Sequence, residues 1–201
     1  MLLLHGMMQD WHTEYEMLKD LEEHYLLIIP AQDGFYEGSG DFTSFADQAR
    51  QIEEYVQVNY GGKVIGAYGC SQGGLMLTEL LTRNKIDLGT VIMDGCYVAH
   101  QGKVSGWVTY KMFCKFKNTG KFPALIMVMM KLMGLKAEDL GMMESLYMKA
   151  SDETVKRNFM ENYTYRTRPE IAENKTMVHI WCGSKEPYAI KSHKELKKYL
   201  K

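Results

Sequence analysis

The chain of 201 residues is short of several features that mark common protein classes. Its four cysteines, Cys70, Cys96, Cys114 and Cys182, form no C-x-x-C pair, and no histidines accompany them at zinc-finger spacing. A disulfide-stapled scaffold and a structural metal are thereby excluded, and reduced, mostly buried thiols are expected. Neither sign of charge is in excess: 24 basic residues face 25 acidic ones. No broad field is left to attract nucleic acid or an anionic membrane. No apolar run reaches the roughly 20 residues that span a bilayer. The opening Met1-Leu2-Leu3-Leu4-His5-Gly6 is too short and has no basic leader for a signal peptide. These absences lead to the expectation of a cytoplasmic protein with a small-molecule partner, no nucleic acid, no membrane span and no cofactor.

What is present is the composition of one globular domain, 46% hydrophobic and 24% charged, with room for a sizeable insertion. Short apolar runs alternate with helical patterns, as in a largely parallel sheet wrapped by helices, so the fold class is α/β. Strands are predicted at Met1 to Leu4, Tyr25 to Pro30, Lys63 to Tyr68, Thr90 to Met93 and Met177 to Trp181. None shows the alternation of a half-exposed sheet. Helices are predicted over Glu14 to Glu23 and Phe45 to Tyr60, with Ser44 and Asp47 forming a capping box at the second. Residues 1–95 and 171–201 read as the core. Residues 96–170 read as an inserted helical cap, rich in methionine and aromatics. Its most apolar stretch, Phe122 to Met133, fits the core of a small helical subdomain and equally an adaptable lid over an apolar substrate. Phe113, Phe116, Leu125, Met129 and Leu132 would give the pocket an apolar lining, with Lys111, Lys115 and Lys117 on the solvated side.

The chemistry points to Gly69-Cys70-Ser71-Gln72-Gly73, a G-x-S-x-G pattern between a predicted strand and a helical run from Gly74 to Arg83. A turn that sharp forces the serine into a strained backbone, tolerated only if its flanks lack bulk. Gly69 and Gly73 supply that room. The turn would lift the hydroxyl clear of the sheet and aim the first helical amides at a developing negative charge. An ordinary glycine-rich packing turn is the plainer alternative.

The strand Leu2-Leu3-Leu4 closes on His5-Gly6-Met7, a tryptophan follows at position 11, and the elbow is followed by a further glycine, Gly74. Across nearly the whole chain this resembles the α/β-hydrolase superfamily. The resemblance implies that Ser71 is the nucleophile, that the amides of Met7 and Gln72 form an oxyanion hole, and that His5 holds the loop. It also implies that the acid lies in Trp181-Cys182-Gly183-Ser184-Lys185-Glu186-Pro187, where Glu186 takes that role, glutamate being accepted there beside the commoner aspartate. Asp94, after the fourth strand, is the competing acid, and a solvated loop carboxylate is the plainer reading of Glu186.

In such proteins the order is serine, acid, histidine, the last on a loop after one more strand. Here only a helical pattern, Ala189 to Lys201, follows Glu186. The expectation is therefore a trimmed or minimal form, without the final strand and histidine loop and without the first two strands. His193, His100 and His12 are the candidates to substitute, each with a bland alternative, while His24 and His179 read as structural. The resemblance implies a serine hydrolase of the esterase or lipase-like kind, acting on a carboxylic ester or related acyl compound. A serine without a base is a poor nucleophile, so ligands would be trapped better than turned over. The alternative is a non-catalytic ligand-binding or signalling protein on the same scaffold. Met177 to Trp181, left as a sheet edge, predicts homodimerisation or poor solubility.

Overall fold

A computed structural model describes residues 1–7, 9–119, 145, 146 and 148–200. The apolar stretch Phe122 to Met133, with Leu125, Met129 and Leu132, lies outside the described residues. Four parallel strands form one sheet in the order β1 (Leu2–Leu4), β2 (Gly66–Cys70), β3 (Thr90–Asp94) and β4 (Met177–Trp181). The ladders hold Leu3 beside Tyr68, Tyr68 beside Ile92, and Ile92 beside His179. The predicted strand at Tyr25 to Pro30 is reduced to one bridge, in which Ile28 exchanges bonds of 2.8 and 2.9 Å with Met1 and Leu3 on the far side of β1. Pro30 has no N–H to extend that ladder.

This connectivity sets the location of the site. From β1 the chain runs outward to Ile28, crosses back through a helix, and enters β2 on the other side of β1. Strand order therefore reverses at β1, and in open parallel sheets the crevice beyond the carboxyl ends at such a point is where ligands bind.

The first helix, α1 (Trp11–Leu18), is capped by the Asp10 carboxylate, which accepts from Thr13 N, and passes into a 3-10 turn, Lys19–Glu23. α2 (Phe45–Tyr60) starts on the predicted cap, with Ser44 Oγ accepting from Asp47 N at 3.0 Å, and ends at Gly61 in the left-handed region, φ 64°. α3 (Gln72–Arg83) is buried from Gln72 to Thr82, because it packs on β1, β2, β3, α2 and the 3-10 turn Pro169–Glu173. Its leucines join Leu2, Leu4, Phe42, Phe45, Val91 and Met93 in the main core.

α4 (Lys103–Thr119) and α5 (Asp152–Thr164) pack on one another within the 96–170 stretch, around Phe113, Phe116, Val155 and Phe159. Phe113 and Phe116 thus lie in a helix–helix core against which Met7 and Phe35 also pack. Lys117 is also not on the solvated side: its ammonium is bound to Asp152 at 2.6 Å and to the Ala150 carbonyl at 2.7 Å. Lys111 and Lys115 are exposed. α6 (Pro187–Leu196) closes the described chain.

The two faces of the sheet differ. Val178 and Ile180 of β4 turn toward the main core, whereas Met177, His179 and Trp181 are exposed. β4 therefore has the alternation that the sequence was read as not having, and His179 and His24 are exposed rather than structural. Only Cys96 of the four free thiols is fully buried. Among the described residues no helix is long and apolar enough to cross a membrane, and no group of three metal-ligating side chains is assembled.

Candidate active site

Ser71 stands between β2 and α3 at φ 51°, ψ −111°. A non-glycine residue there is strained, of order 1–3 kcal/mol, and persists only where the surroundings enforce it. They do so through close contacts. A Cβ on Gly69 would stand 2.6 Å from the Gly73 carbonyl, one on Gly73 only 1.9 Å from the Leu4 carbonyl oxygen, and one on Gly74 1.8 Å from Cys96 Sγ. Strand β2, the end of β1 and the first turn of α3 thus meet backbone to backbone. Ser71 N donates to the Asp94 carbonyl at 2.8 Å, tying the elbow to β3.

The same approach brings the β1 exit beside the serine: a Cβ on Gly6 would lie 3.4 Å from Ser71 Cβ. Gly6 N donates to the Gln9 side chain at 2.9 Å, and Gln9 N to the Gly6 carbonyl at 3.3 Å. Among the described residues, none accepts a hydrogen bond from the main-chain amides of Met7 or Gln72, and none bonds the Ser71 hydroxyl. Met7, Ser71 and Gln72 are therefore gathered at the reversal of strand order, with two unpaired donors near one unpaired hydroxyl.

Glu186 is further along the same edge. Cys70, Asp94 and Trp181 share one register row, and the chain leaves that row at Ser71, Gly95 and Cys182. Glu186 Oε2 accepts from Gly183 N at 3.0 Å and would be 3.7 Å from a Cβ on Gly95. It stands at the N-cap position of α6 without a side-chain cap bond and has no histidine partner among the described residues. Asp94 accepts from the Tyr68 phenol at 3.0 Å.

The overall fold is found repeatedly among solved structures. The chain superposes on an alpha/beta hydrolase family protein from Desulfitobacterium hafniense with a TM-score of 0.75 at 20% identity, covering 100% of this chain and 82% of the other. For MenH from S. aureus the TM-score is 0.75 at 13% identity, with 99% and 80% covered. For a thermophilic esterase from Thermogutta terrifontis, solved with malate bound, it is 0.73 at 14%, with 95% and 75% covered. The chain has the α/β-hydrolase fold. No family model and no curated protein sequence matches it.

Four of the six histidines of this α/β-hydrolase fold face other groups, while His24 and His179 are exposed. His5 is buried, with Nδ1 3.0 Å from the Gly6 carbonyl and Nε2 unpartnered, and burial lowers its pKa. His12 lies in α1, stacked on Trp11 and 3.1 Å from Asp10. His100 Nδ1 faces the Thr164 carbonyl at 3.1 Å, and His193 Nδ1 faces Cys182 Sγ at 3.8 Å. A groove of 540 Å3 between the Leu26 to Gln32 segment and α2 touches Leu4 and His5 but not Ser71.

Two polar side chains near the elbow were not singled out from the sequence. Glu14, on the inner side of α1, is fully buried with both carboxylate oxygens unpartnered among the described residues; burial and the charge of Asp94 push its pKa up to about 7. Its spacing within an apolar helical stripe was the one available signal. Asn158 of α5 meets Gln72, and nothing in the sequence links positions 86 residues apart.

Proposed function

We propose that the protein is a serine hydrolase acting on a carboxylic ester or related acyl compound, with Ser71 as nucleophile. The observation that carries the reading is the strained Ser71, set beside Met7 and Gln72, its hydroxyl and their main-chain amides all without a partner among the described residues. Ser71 Oγ would attack the carbonyl carbon while those two amides hold the oxygen as it becomes negative. Collapse breaks the bond to the leaving alcohol, which departs with the serine's proton, and water then releases the acid from the acyl-enzyme. The esterase and hydrolase assignments of the structural neighbours support this class. Glu186 is the proposed acid, and 96–170 the proposed cap.

No described histidine reaches Ser71 or Glu186, and this favours a specific second reading: a scaffold that binds or traps acyl ligands with little turnover. Intact-protein mass after exposure to a fluorophosphonate, compared with Ser71→Ala, tests both. One adduct lost in the variant supports the nucleophile; an unlabelled wild-type protein leaves the binding scaffold.

A further inference from the structure

A pair of buried amides joins the elbow to α5. Gln72 is 1% exposed and Asn158 0%, and Gln72 Nε2 donates to Asn158 Oδ1 at 3.0 Å. Among the described residues this is the one hydrogen bond between the 69–73 turn and the helices of the 96–170 stretch. The pairing leaves hydrogen-bonding capacity unused: Gln72 Oε1, Asn158 Nδ2 and, one turn along, Asn162 Oδ1 are buried without partners among the described residues. Flipping both amides exchanges the atoms that meet and still leaves one donor and one acceptor over. Two apolar side chains of the same shape would be no less stable in that position. Stability does not account for the pair.

Its consequence is geometric. Gln72 is the first residue of α3, next to the strained Ser71, and its main-chain N–H has no described acceptor. Anchoring its side chain restrains the residue that carries that N–H. The anchor is itself held: Thr154 Oγ1 accepts from Phe42 N at 3.0 Å, Glu161 Oε2 accepts from Phe45 N at 3.0 Å, and Arg157 reaches the Phe42 carbonyl at 3.5 Å. α5 is thus fastened to the entry of α2 on one side and to the elbow on the other.

We infer that Asn158 is a positioning residue. It holds the Gln72 amide toward the oxyanion formed at Ser71, so that the placement of α5 is read out in the rate of acyl chemistry. The inference rests on the serine-hydrolase reading above.

The test is the kinetics of fluorophosphonate labelling, resolved into an affinity and a limiting rate, for wild type, Asn158→Leu, Asn162→Leu and the double variant Gln72→Leu/Asn158→Leu, with Tm recorded for each. Loss of one oxyanion donor costs about 100- to 1000-fold in rate, and misdirecting one costs less. Asn158→Leu is therefore expected to lower the limiting rate roughly 10- to 100-fold, with affinity within about twofold, and Asn162→Leu to leave it unchanged. In the double variant neither member of the pair is left facing an apolar partner, so Tm recovers while the limiting rate stays low. A limiting rate in Asn158→Leu equal to wild type, or one that recovers together with Tm in the double variant, overturns the inference. A wild-type protein that is not labelled at Ser71 overturns the underlying reading, and the wild-type measurement alone distinguishes the two failures.

Discussion

Replacing Glu14 by glutamine should make the folded protein less sensitive to pH, with a magnitude fixed by its burial. The buried carboxyl feels the charge of Asp94 on β3, and Tyr68 and Cys70 of β2 feel its own, with no hydrogen-bond partner for either oxygen among the described residues. Its pKa stands at about 7 against an ordinary 4.5. In that window the folded form keeps a proton the unfolded chain has released, so stability falls as pH rises from about 4.5 and levels off above about 7. At 1.36 kcal/mol per pH unit the loss is about 3 kcal/mol, a ceiling that any water admitted on ionisation would reduce. Glutamine preserves the shape and cannot ionise. Urea unfolding of wild type and Glu14→Gln from pH 4.5 to 8.5 should give similar stabilities at the acid end and a gain of about 2–3 kcal/mol for the variant at pH 8, with unchanged m. His5 acts with the opposite sign, since its lowered pKa costs stability as pH falls below its ordinary value, and it cancels in the comparison between variants. A wild-type and variant difference that does not grow between pH 5 and 8 would refute the reasoning.

Further outcomes follow from the same geometry. Glu161, also pushed up to about 7 by burial, should contribute a second decline over the same window, removed separately in Glu161→Gln and read from the same unfolding series. Ser71→Gly should abolish fluorophosphonate labelling yet raise stability by about 1 kcal/mol or more, because glycine relieves the strain at φ 51°; a destabilised Ser71→Gly would speak against an enforced elbow. Gly74→Ala should cost at least a few kcal/mol by thermal melting, since its Cβ would overlap Cys96 Sγ, and Cys96→Ala in the same chain should restore part of that loss. If no internal base serves Ser71, tens of millimolar imidazole should accelerate turnover of an activated ester in wild type and not in Ser71→Ala. Self-association through β4 is expected in sedimentation velocity at tens of micromolar, and Trp181→Asp with Met177→Asp should shift it toward monomer, as both side chains are exposed.

Local sequence was sufficient wherever chemistry acts between near neighbours. The cap at Ser44 depends on three residues, the left-handed stop at Gly61 on one, and the elbow on glycines within three positions of Ser71, so each was legible as a pattern. The alternation of apolar runs with amphipathic stretches sufficed for a parallel α/β sheet, because parallel strands require helical crossovers. Tertiary structure decided the rest. Tyr25 to Pro30 has the composition of a strand, yet it lies at an edge ended by a proline and forms a single bridge. β4 exposes Met177, His179 and Trp181 because no described element covers that face, which no property of the five residues encodes. Phe113 and Phe116 have an apolar character that leaves their partners open, and packing supplies Val155 and Phe159 of α5. The burial of Glu14 and the Gln72–Asn158 pair arise from contacts between distant segments, whose energies depend on distance and exclusion of water rather than on sequence spacing. Near-neighbour patterns were enough for most of the elements and for the serine at their turn; the packing of β1, α1, α3 and α5 around it decided which amides lack a described acceptor and which carboxyl is buried and so has a raised pKa.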